Sequence, residues 1–256
     1  MDEQEKYGGG KMSKILELNG ITKKFGGLVA NENVSFDVEE GEIVGVVGPN
    51  GAGKTTLFNS ISGAFPPTSG TITFNGQDIT VLPAHECAKI GIGRTFQIPQ
   101  SLNEMTVWEN VIVGALCHTD DMNEAMKKVN EVMELCGMEK FRDMVAGKLN
   151  VAQKKRLEIA RAMATDPKLL LLDETMAGLT ATERIEAVEL IRKINSMGIA
   201  ILTIEHNMDV VMSVSNRVVV LVSGRLLMVG SPQEVTSNPE VISAYLGGGS
   251  KDESDE

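Results

Sequence analysis

Residues 48–55 constrain the fold more than any other stretch of this chain. They read GPNGAGKT, match the pattern G-x-x-x-x-G-K-[S/T], and follow an apolar run at 43–47. Glycines at 48, 51 and 53 let the backbone curl so that successive N–H groups point at phosphate oxygens, and a following helix adds the positive end of its dipole. Lys54 then reaches the terminal phosphates, while the Thr55 hydroxyl suits Mg²⁺. An ordinary Gly-rich turn with a surface lysine is the alternative, which the strand–loop–helix context disfavours.

A second element supports the phosphate site. Residues 169–174 read LLLLDE, an apolar run that ends in two acids. Such a strand places Asp173 at the carboxyl edge of a sheet, where ligands lie in open α/β folds. Asp173 then suits Mg²⁺, and Glu174 suits the polarisation of an attacking water. Alone, acids after a buried strand are commonly solvated loop residues; together with residues 48–55 they predict a nucleotide site.

Strand-like and helix-like segments alternate along the chain, which predicts an α/β fold. The helical stretch in the middle is a candidate lobe inserted into the sheet. The predicted strands are 15–18, 33–38, 42–47, 71–74, 169–172, 199–204, 218–222 and 225–229, and the predicted helices are 53–62, 183–194 and most of 106–165 with a break around 136–150.

Composition narrows the functional class. Lys and Arg total 24 against 35 Asp and Glu, a balance that disfavours nucleic acid as a partner. The longest apolar runs fall far short of the roughly 20 residues of a membrane span, and the polar start carries no secretory signal. Three dispersed cysteines without a C-x-x-C pair indicate reduced thiols. We therefore expect a soluble cytosolic protein, with flexible Gly-rich and acidic ends at 1–13 and 247–256.

With further motifs in the right order, the chain resembles the ATP-binding subunit of an ABC transporter over nearly its whole length. The additional matches are RTFQ at 94–97, LNVAQ at 149–153, AGLT at 177–180, His206 after TIE, and Phe25 ahead of the phosphate loop. The resemblance implies a P-loop NTPase fold of ABC type at 14–246. This fold has a mixed sheet core, an antiparallel β subdomain and an inserted α-helical subdomain at about 98–165.

The resemblance also implies roles for individual residues. Catalytic roles fall on Glu174, His206 and Gln97, and Mg²⁺ contacts fall on Thr55, Gln97 and Asp173. The residues expected to bind ATP are Phe25, Gly48, Pro49, Asn50, Gly51, Ala52, Gly53, Lys54, Thr55, Thr56, Asn150, Ala152 and Gln153.

The signature segment departs from the family pattern, because Asn150, Val151 and Ala152 replace its usual Ser-Gly-Gly. In the family this segment serves the ATP of the opposite subunit. Asn150 can supply both a donor and a helix cap, whereas Ala152 keeps its N–H but adds a Cβ near the phosphate. Thr180, where the family usually has Asp, fits a capping box with Glu183. The basic run 154–156 is typical of a solvated helix face.

Residues 94–100, 104–110, 204–209 and 238–246 resemble the ATPase subunits of importers for branched-chain and hydrophobic amino acids. That resemblance implies two permease subunits, a second ATPase subunit of the same or a homologous chain, and indirectly a solute-binding protein, at the cytoplasmic face of the membrane. We expect the permease to dock near 97–108, where Trp108 is either an anchor or buried. An ATPase of a cofactor-assembly complex and a lipid or lipopolysaccharide exporter ATPase remain the alternatives.

Overall fold

A computed structural model describes residues 13–206 and 208–246. The predicted flexible ends therefore lie outside the described residues, apart from Ser13. In chain order the elements are β1 (Lys14–Phe25), β2 (Leu28–Glu39), β3 (Ile43–Val47), α1 (Lys54–Ile61), β4 (Ser69–Phe74), β5 (Gln77–Asp78), α2 (Ala84–Lys89), β6 (Ile92–Arg94), α3 (Val107–Ala115), α4 (Met122–Leu135), α5 (Val151–Ala164), β7 (Leu169–Asp173), α6 (Ala181–Ser196), β8 (Ala200–Ile204), α7 (Met208–Val214), β9 (Arg217–Val222), β10 (Arg225–Gly230), α8 (Pro232–Ser237) and α9 (Pro239–Leu246).

The larger sheet brings distant segments to one edge. Its strand order is β10-β9-β3-β8-β7-β6, with only the β9–β10 pair antiparallel. Every residue of β3, β7 and β8 is buried, because other elements cover both faces of this part of the sheet. The loops after β3, β6, β7 and β8 consequently leave the same carboxyl edge.

The smaller sheet is antiparallel, in the order β2-β1-β4-β5. It packs with α1 on one face of the larger sheet through a cluster that includes Leu16, Phe58, Phe74 and Leu171. Strands β1 and β2 each span 12 residues, well beyond the predicted 15–18 and 33–38. The outer part of this hairpin is largely exposed, with both polar and apolar residues, so it lacks the alternation of apolar and polar residues that indicates a half-buried strand.

Helices α3, α4 and α5 form the predicted lobe. Their core is continuous with the other face of the larger sheet, in one cluster that includes Val111, Val129, Leu157 and Leu172. Among the described residues, no helix has both the length and the apolar character needed to cross a membrane.

Candidate functional site

The phosphate loop connects β3 to α1, and close packing explains its glycines. A Cβ on Gly48 would lie 2.1 Å from the carbonyl oxygen of Leu221, and one on Gly53 would lie 2.3 Å from that of Ala30. Gly53 also has φ 92°, a left-handed backbone that favours glycine, and it precedes α1 without any side-chain cap. The N–H groups at the start of α1 are therefore not taken by a capping side chain.

Lys54 is the first residue of α1 and is only 6% exposed. Its Nζ donates to the carbonyl oxygens of Gly48, at 2.7 Å, and Pro49, at 3.0 Å. Burial lowers the pKa of Lys54, and the nearby carboxylates of Glu174 and Asp173 oppose that shift. The ammonium group is thus held inside the loop that surrounds it, facing the acidic end of β7.

Asp173 ends β7 and is 1% exposed. Its Oδ2 lies 3.5 Å from a guanidinium nitrogen of Arg94, whereas its Oδ1 is buried without a hydrogen-bond partner. Burial raises the pKa of this carboxyl, while Arg94 opposes the rise. Mg²⁺ prefers hard oxygen ligands, and the unpartnered Asp173 carboxylate oxygen and the Thr55 hydroxyl are both of that kind, so these residues fit that ion.

Glu174 receives side chains from two other loops of the same edge. Gln97 Nε2 donates to its Oε2 at 2.8 Å, and His206 Nε2 lies 2.5 Å from its Oε1. The Glu174 backbone has φ 50°, and its N–H donates to the carbonyl oxygen of Ile204 at 3.0 Å. The structure thus brings together the three residues predicted as catalytic, although 109 positions separate Gln97 from His206 in the sequence.

Phe25 lies at the end of β1, with its side chain 47% exposed. The edge of one ring meets the face of the other where Phe25 packs with Phe65, at 5.4 Å between centroids. The Lys23 ammonium lies 5.1 Å from the Phe25 centroid and 4.4 Å from that of Phe65. Phe25 is therefore an exposed aromatic ring with a fixed orientation, which suits stacking with a planar ligand.

The signature residues lie apart from the phosphate loop. Asn150 caps α5 through a reciprocal capping box, in which its side chain accepts from the Gln153 N–H and Gln153 Oε1 accepts from the Asn150 N–H, both at 2.9 Å. Ala152 and Gln153 line a cavity with Thr175 and Leu179. Among the described residues, no hydrogen bond joins 150–153 to 48–56.

Sequence reasoning missed three charged residues behind the site. Arg94 pairs with Asp173, Lys155 Nζ donates to the carbonyl oxygen of Glu174 at 2.8 Å, and Glu205 is 3% exposed. The expectation of a solvated face at 154–156 is wrong for Lys155, which is 6% exposed because it points from α5 toward the end of β7. Its spacing of four positions from the buried Ile159 on the same helix was the available signal.

Comparison with known proteins gives a consistent result. The family described as ABC transporter matches residues 31–177, and the family described as branched-chain amino acid ATP-binding cassette transporter matches residues 225–251. The high-affinity branched-chain amino acid transport ATP-binding protein BraF of Pseudomonas aeruginosa is 41% identical, over 91% of this chain and 98% of BraF. The lipopolysaccharide export system ATP-binding protein LptB of Acidithiobacillus ferridurans is 35% identical, over 92% and 98%.

Solved structures agree. The ADP conformation of MJ1267, an ATP-binding cassette of an ABC transporter, superposes with a TM-score of 0.83 at 32% identity, over 92% of this chain and 99% of that one. The dimeric structure of MJ0796, a bacterial ABC transporter cassette, superposes with a TM-score of 0.77 at 27% identity, over 85% and 98%.

Proposed function

The chain belongs to the ABC transporter family of ATP-hydrolysing subunits, and from that premise we propose that it energises uptake of branched-chain or other hydrophobic amino acids. The observation that carries ATP hydrolysis is the convergence of Lys54, Asp173 and Glu174 at one sheet edge. The similarity to BraF along nearly the whole chain, together with the family match at 225–251, supports the amino-acid substrate.

In this proposal residues 48–56 bind the phosphates of ATP. The uncapped N–H groups at the start of α1 and the curled loop contribute donors. Lys54 turns from the carbonyl oxygens of Gly48 and Pro49 toward the β- and γ-phosphates, which are stronger acceptors. Phe25 stacks with the adenine ring.

Glu174 orients the attacking water, and its neighbours hold the carboxylate in place. Gln97 and His206 occupy one oxygen each, so the carboxylate cannot rotate freely. Thr55, Gln97 and Asp173 are the residues that would hold Mg²⁺, which supplies charge neutralisation on the phosphate oxygens when bound. Asp173 Oδ1, buried and unpartnered, supports this assignment.

A complete site needs a second subunit, either a copy of this chain or a homologue. Within the described part of the chain, no hydrogen bond joins Asn150, Ala152 or Gln153 to residues 48–56, which is consistent with an arrangement across a dimer. The dimeric cassette MJ0796 supports this arrangement. Two such subunits then enclose two ATP molecules, each between one phosphate loop and the partner's signature segment.

Two permease subunits would dock on the groove between the lobe and the larger sheet, at the cytoplasmic face of the membrane. Phe96, Val113 and Cys117 line this groove, and Ile98 beside it is 73% exposed. Trp108 packs against the lobe core and under the Arg142 guanidinium, so the apolar anchor lies nearer residue 96 than residue 108. A solute-binding protein would act only through the permeases.

Purification of the tagged chain from native membranes tests the proposal. We expect two polytopic permeases to accompany it, and ATP-dependent uptake of radiolabelled leucine into vesicles that hold the complex. Uptake should disappear with Glu174→Gln and persist with Glu189→Gln, which alters an exposed carboxylate on α6. Co-purification with lipopolysaccharide-export components, or with soluble scaffold proteins alone, would contradict amino-acid import.

A further inference from the structure

The segment that follows β7 needs support from outside itself. Glu174 has φ 50°, in the left-handed region that residues with a Cβ seldom adopt. Such a conformation persists only where surrounding contacts fix it. Its own carboxylate is engaged by Gln97 and His206, so the backbone of 174–176 must be held by other groups.

Two buried charged side chains supply such contacts, in addition to the carbonyl oxygen of Ile204 that accepts from the Glu174 N–H. Lys155 Nζ donates to the carbonyl oxygen of Glu174 at 2.8 Å. Glu205 Oε1 accepts from the Met176 N–H at 3.1 Å and from the Thr175 hydroxyl at 3.4 Å. Three consecutive residues are thus tied to a lysine on α5 and a glutamate that follows β8.

Both side chains are buried, unlike most charged residues, which lie at the protein surface. Lys155 is 6% exposed and Glu205 is 3% exposed, and burying a charge is costly unless it is paired and hydrogen-bonded. When both groups are ionised their charges are opposite; burial lowers the pKa of Lys155, and the Glu205 carboxylate opposes that shift. The backbone of 174–176 accepts a hydrogen bond from Lys155 and donates one to Glu205.

We infer that Lys155 and Glu205 are positioning residues that fix the backbone of Glu174 and thereby connect helix α5 to the hydrolytic carboxylate. The inference rests on the proposed function, in which Glu174 orients the water. Lys155 lies two positions after Gln153 on the same helix, so α5 presents the signature segment at its start and holds the Glu174 carbonyl in its next turn. A shift of α5 on closure with a second subunit would reach Glu174 through this bond.

The test is steady-state ATPase activity of the complex purified from membranes, with variants at adjacent lysines. Lys155→Met should lower kcat at least tenfold and leave the KM for ATP within twofold, because binding at α1 is untouched. Lys155→Arg should recover at least a third of the wild-type kcat, since it can still donate. Lys154→Met removes the same charge from the same helix without contacting 174–176, and it should retain wild-type kcat.

Glu205→Gln is a milder variant for the case in which Lys155→Met does not fold. It removes the carboxylate charge that faces Lys155, but its amide oxygen still accepts from the Met176 N–H. We therefore expect only a modest loss, a fall in kcat of about threefold with KM unchanged. Equal kcat in Lys155→Met and Lys154→Met, or wild-type kcat in Glu205→Gln, overturns the inference. Parallel loss of kcat and ATP affinity in Lys155→Met, without rescue by Lys155→Arg, overturns it as well. A wild-type complex that hydrolyses no ATP would overturn the proposed function together with this inference.

Discussion

Two helices of this protein begin at segments proposed to contact ATP, and their first turns differ. Helix α1 follows Gly53, has no side-chain cap, and begins with a buried lysine. Helix α5 follows Asn150, whose side chain and that of Gln153 satisfy each other's backbone N–H groups. The first four N–H groups of any helix lack partners within it. At α1 no side chain caps them, whereas at α5 the Asn150 side chain accepts from one of them, the Gln153 N–H.

The difference suggests separate roles for the two helix N-termini: one would bind phosphate within a single subunit, and the other would act only on ATP held by a partner subunit. An uncapped helix end in a fixed loop is ready for phosphate within a single subunit. At α5 the cap satisfies the Gln153 N–H, and in our proposal the remaining N–H groups of the first turn serve the phosphates bound by a partner subunit. ATP affinity should therefore belong to the α1 end, and turnover to the α5 end of the opposing subunit.

The variant with the largest expected effect is Lys54→Ala, which tests whether ATP affinity depends on the N-terminus of α1. Removal of the cation at the α1 end should weaken ATP binding by ~10³-fold or more, about 4 kcal/mol, since charge-assisted hydrogen bonds each contribute about 1.5–3 kcal/mol. Isothermal titration calorimetry of the isolated chain measures it. Lys89→Ala, at an exposed lysine of α2, is the control and should bind like wild type. Unchanged affinity in Lys54→Ala means that residues 48–55 do not bind the phosphates.

Glu174→Gln separates binding from chemistry. The amide still accepts a hydrogen bond but cannot take a proton, so hydrolysis should fall by roughly 10²–10³-fold while ATP affinity stays near wild type. Unhydrolysed ATP should then hold two subunits together, which gel filtration with ATP detects. A variant that hydrolyses at the wild-type rate would remove Glu174 from the mechanism.

Ala152 tests the α5 end directly. Ala152→Asp places negative charge where the partner's phosphate should approach, and turnover of the assembled complex should fall by about 100-fold. Ala152→Gly removes the methyl group and should raise turnover slightly. It should lower the activation free energy of hydrolysis by a fraction of the ~2.7–4 kcal/mol that a whole donor contributes. Neither change should alter ATP affinity of the monomer. If Gly lowers Tm without changing turnover, residue 152 merely begins a helix.

The pH dependence of stability tests Glu205, which follows β8 and faces Lys155 of α5. Burial raises the pKa of this carboxyl to about 7, against the effects of the Met176 N–H, Lys155 and the Thr175 hydroxyl, while Glu174 raises it further. The folded chain therefore keeps a proton that the unfolded chain releases near pH 4.5. The stabilisation of the folded state by this proton is complete below that pH and is lost as pH rises through about 7.

Between pH 5 and 8 the wild type should accordingly lose about 2–3 kcal/mol of unfolding free energy relative to Glu205→Gln. Urea unfolding at several pH values measures the difference. A pH dependence that is identical in the two proteins would show that Glu205 titrates normally.

The smallest expected effect is the loss of a helix cap, and it separates the structural role of Asn150 from its proposed role in turnover. Asn150→Ala and Ser231→Ala each remove the first residue of a capping box, at α5 and at α8, and each should cost about 1 kcal/mol of stability. Only Asn150→Ala should also lower turnover of the complex. Equal turnover in the two variants would assign Asn150 a purely structural role.

Patterns that combine spacing with a physical requirement allowed much of the sheet to be predicted. The apolar runs before residues 48 and 173 indicated β3 and β7, and the run before Glu205 indicated β8, because fully buried parallel strands are apolar throughout. The short pieces were missed. Helix α7 is rich in valine and reads as a strand, and α8 has a Ser-Pro-x-Glu start that was a usable but overlooked signal.

Within the site, residues that approach the ligand were easier to propose than those that support them. Gln97 and His206 were proposed through their order relative to other motifs, and the structure places both against Glu174. Arg94 and Lys155 were not proposed as buried, because a charged side chain within a polar segment is solvated in most proteins and helical spacing alone is weak evidence against that. Their partners, Asp173 and the Glu174 carbonyl, are distant in sequence, and only tertiary packing brings them together.

The groove lined by Phe96 and Val113 has a consequence for thiol chemistry. Of the three cysteines, Cys87 and Cys136 are buried, and burial raises the pKa of the Cys136 thiol to about 12, so neither presents a reactive thiolate near neutral pH. Cys117 is partly exposed and lines the groove. A maleimide probe should therefore label the native chain at one position, without engineered cysteines. Protection of that position on assembly would report contact with a membrane partner directly.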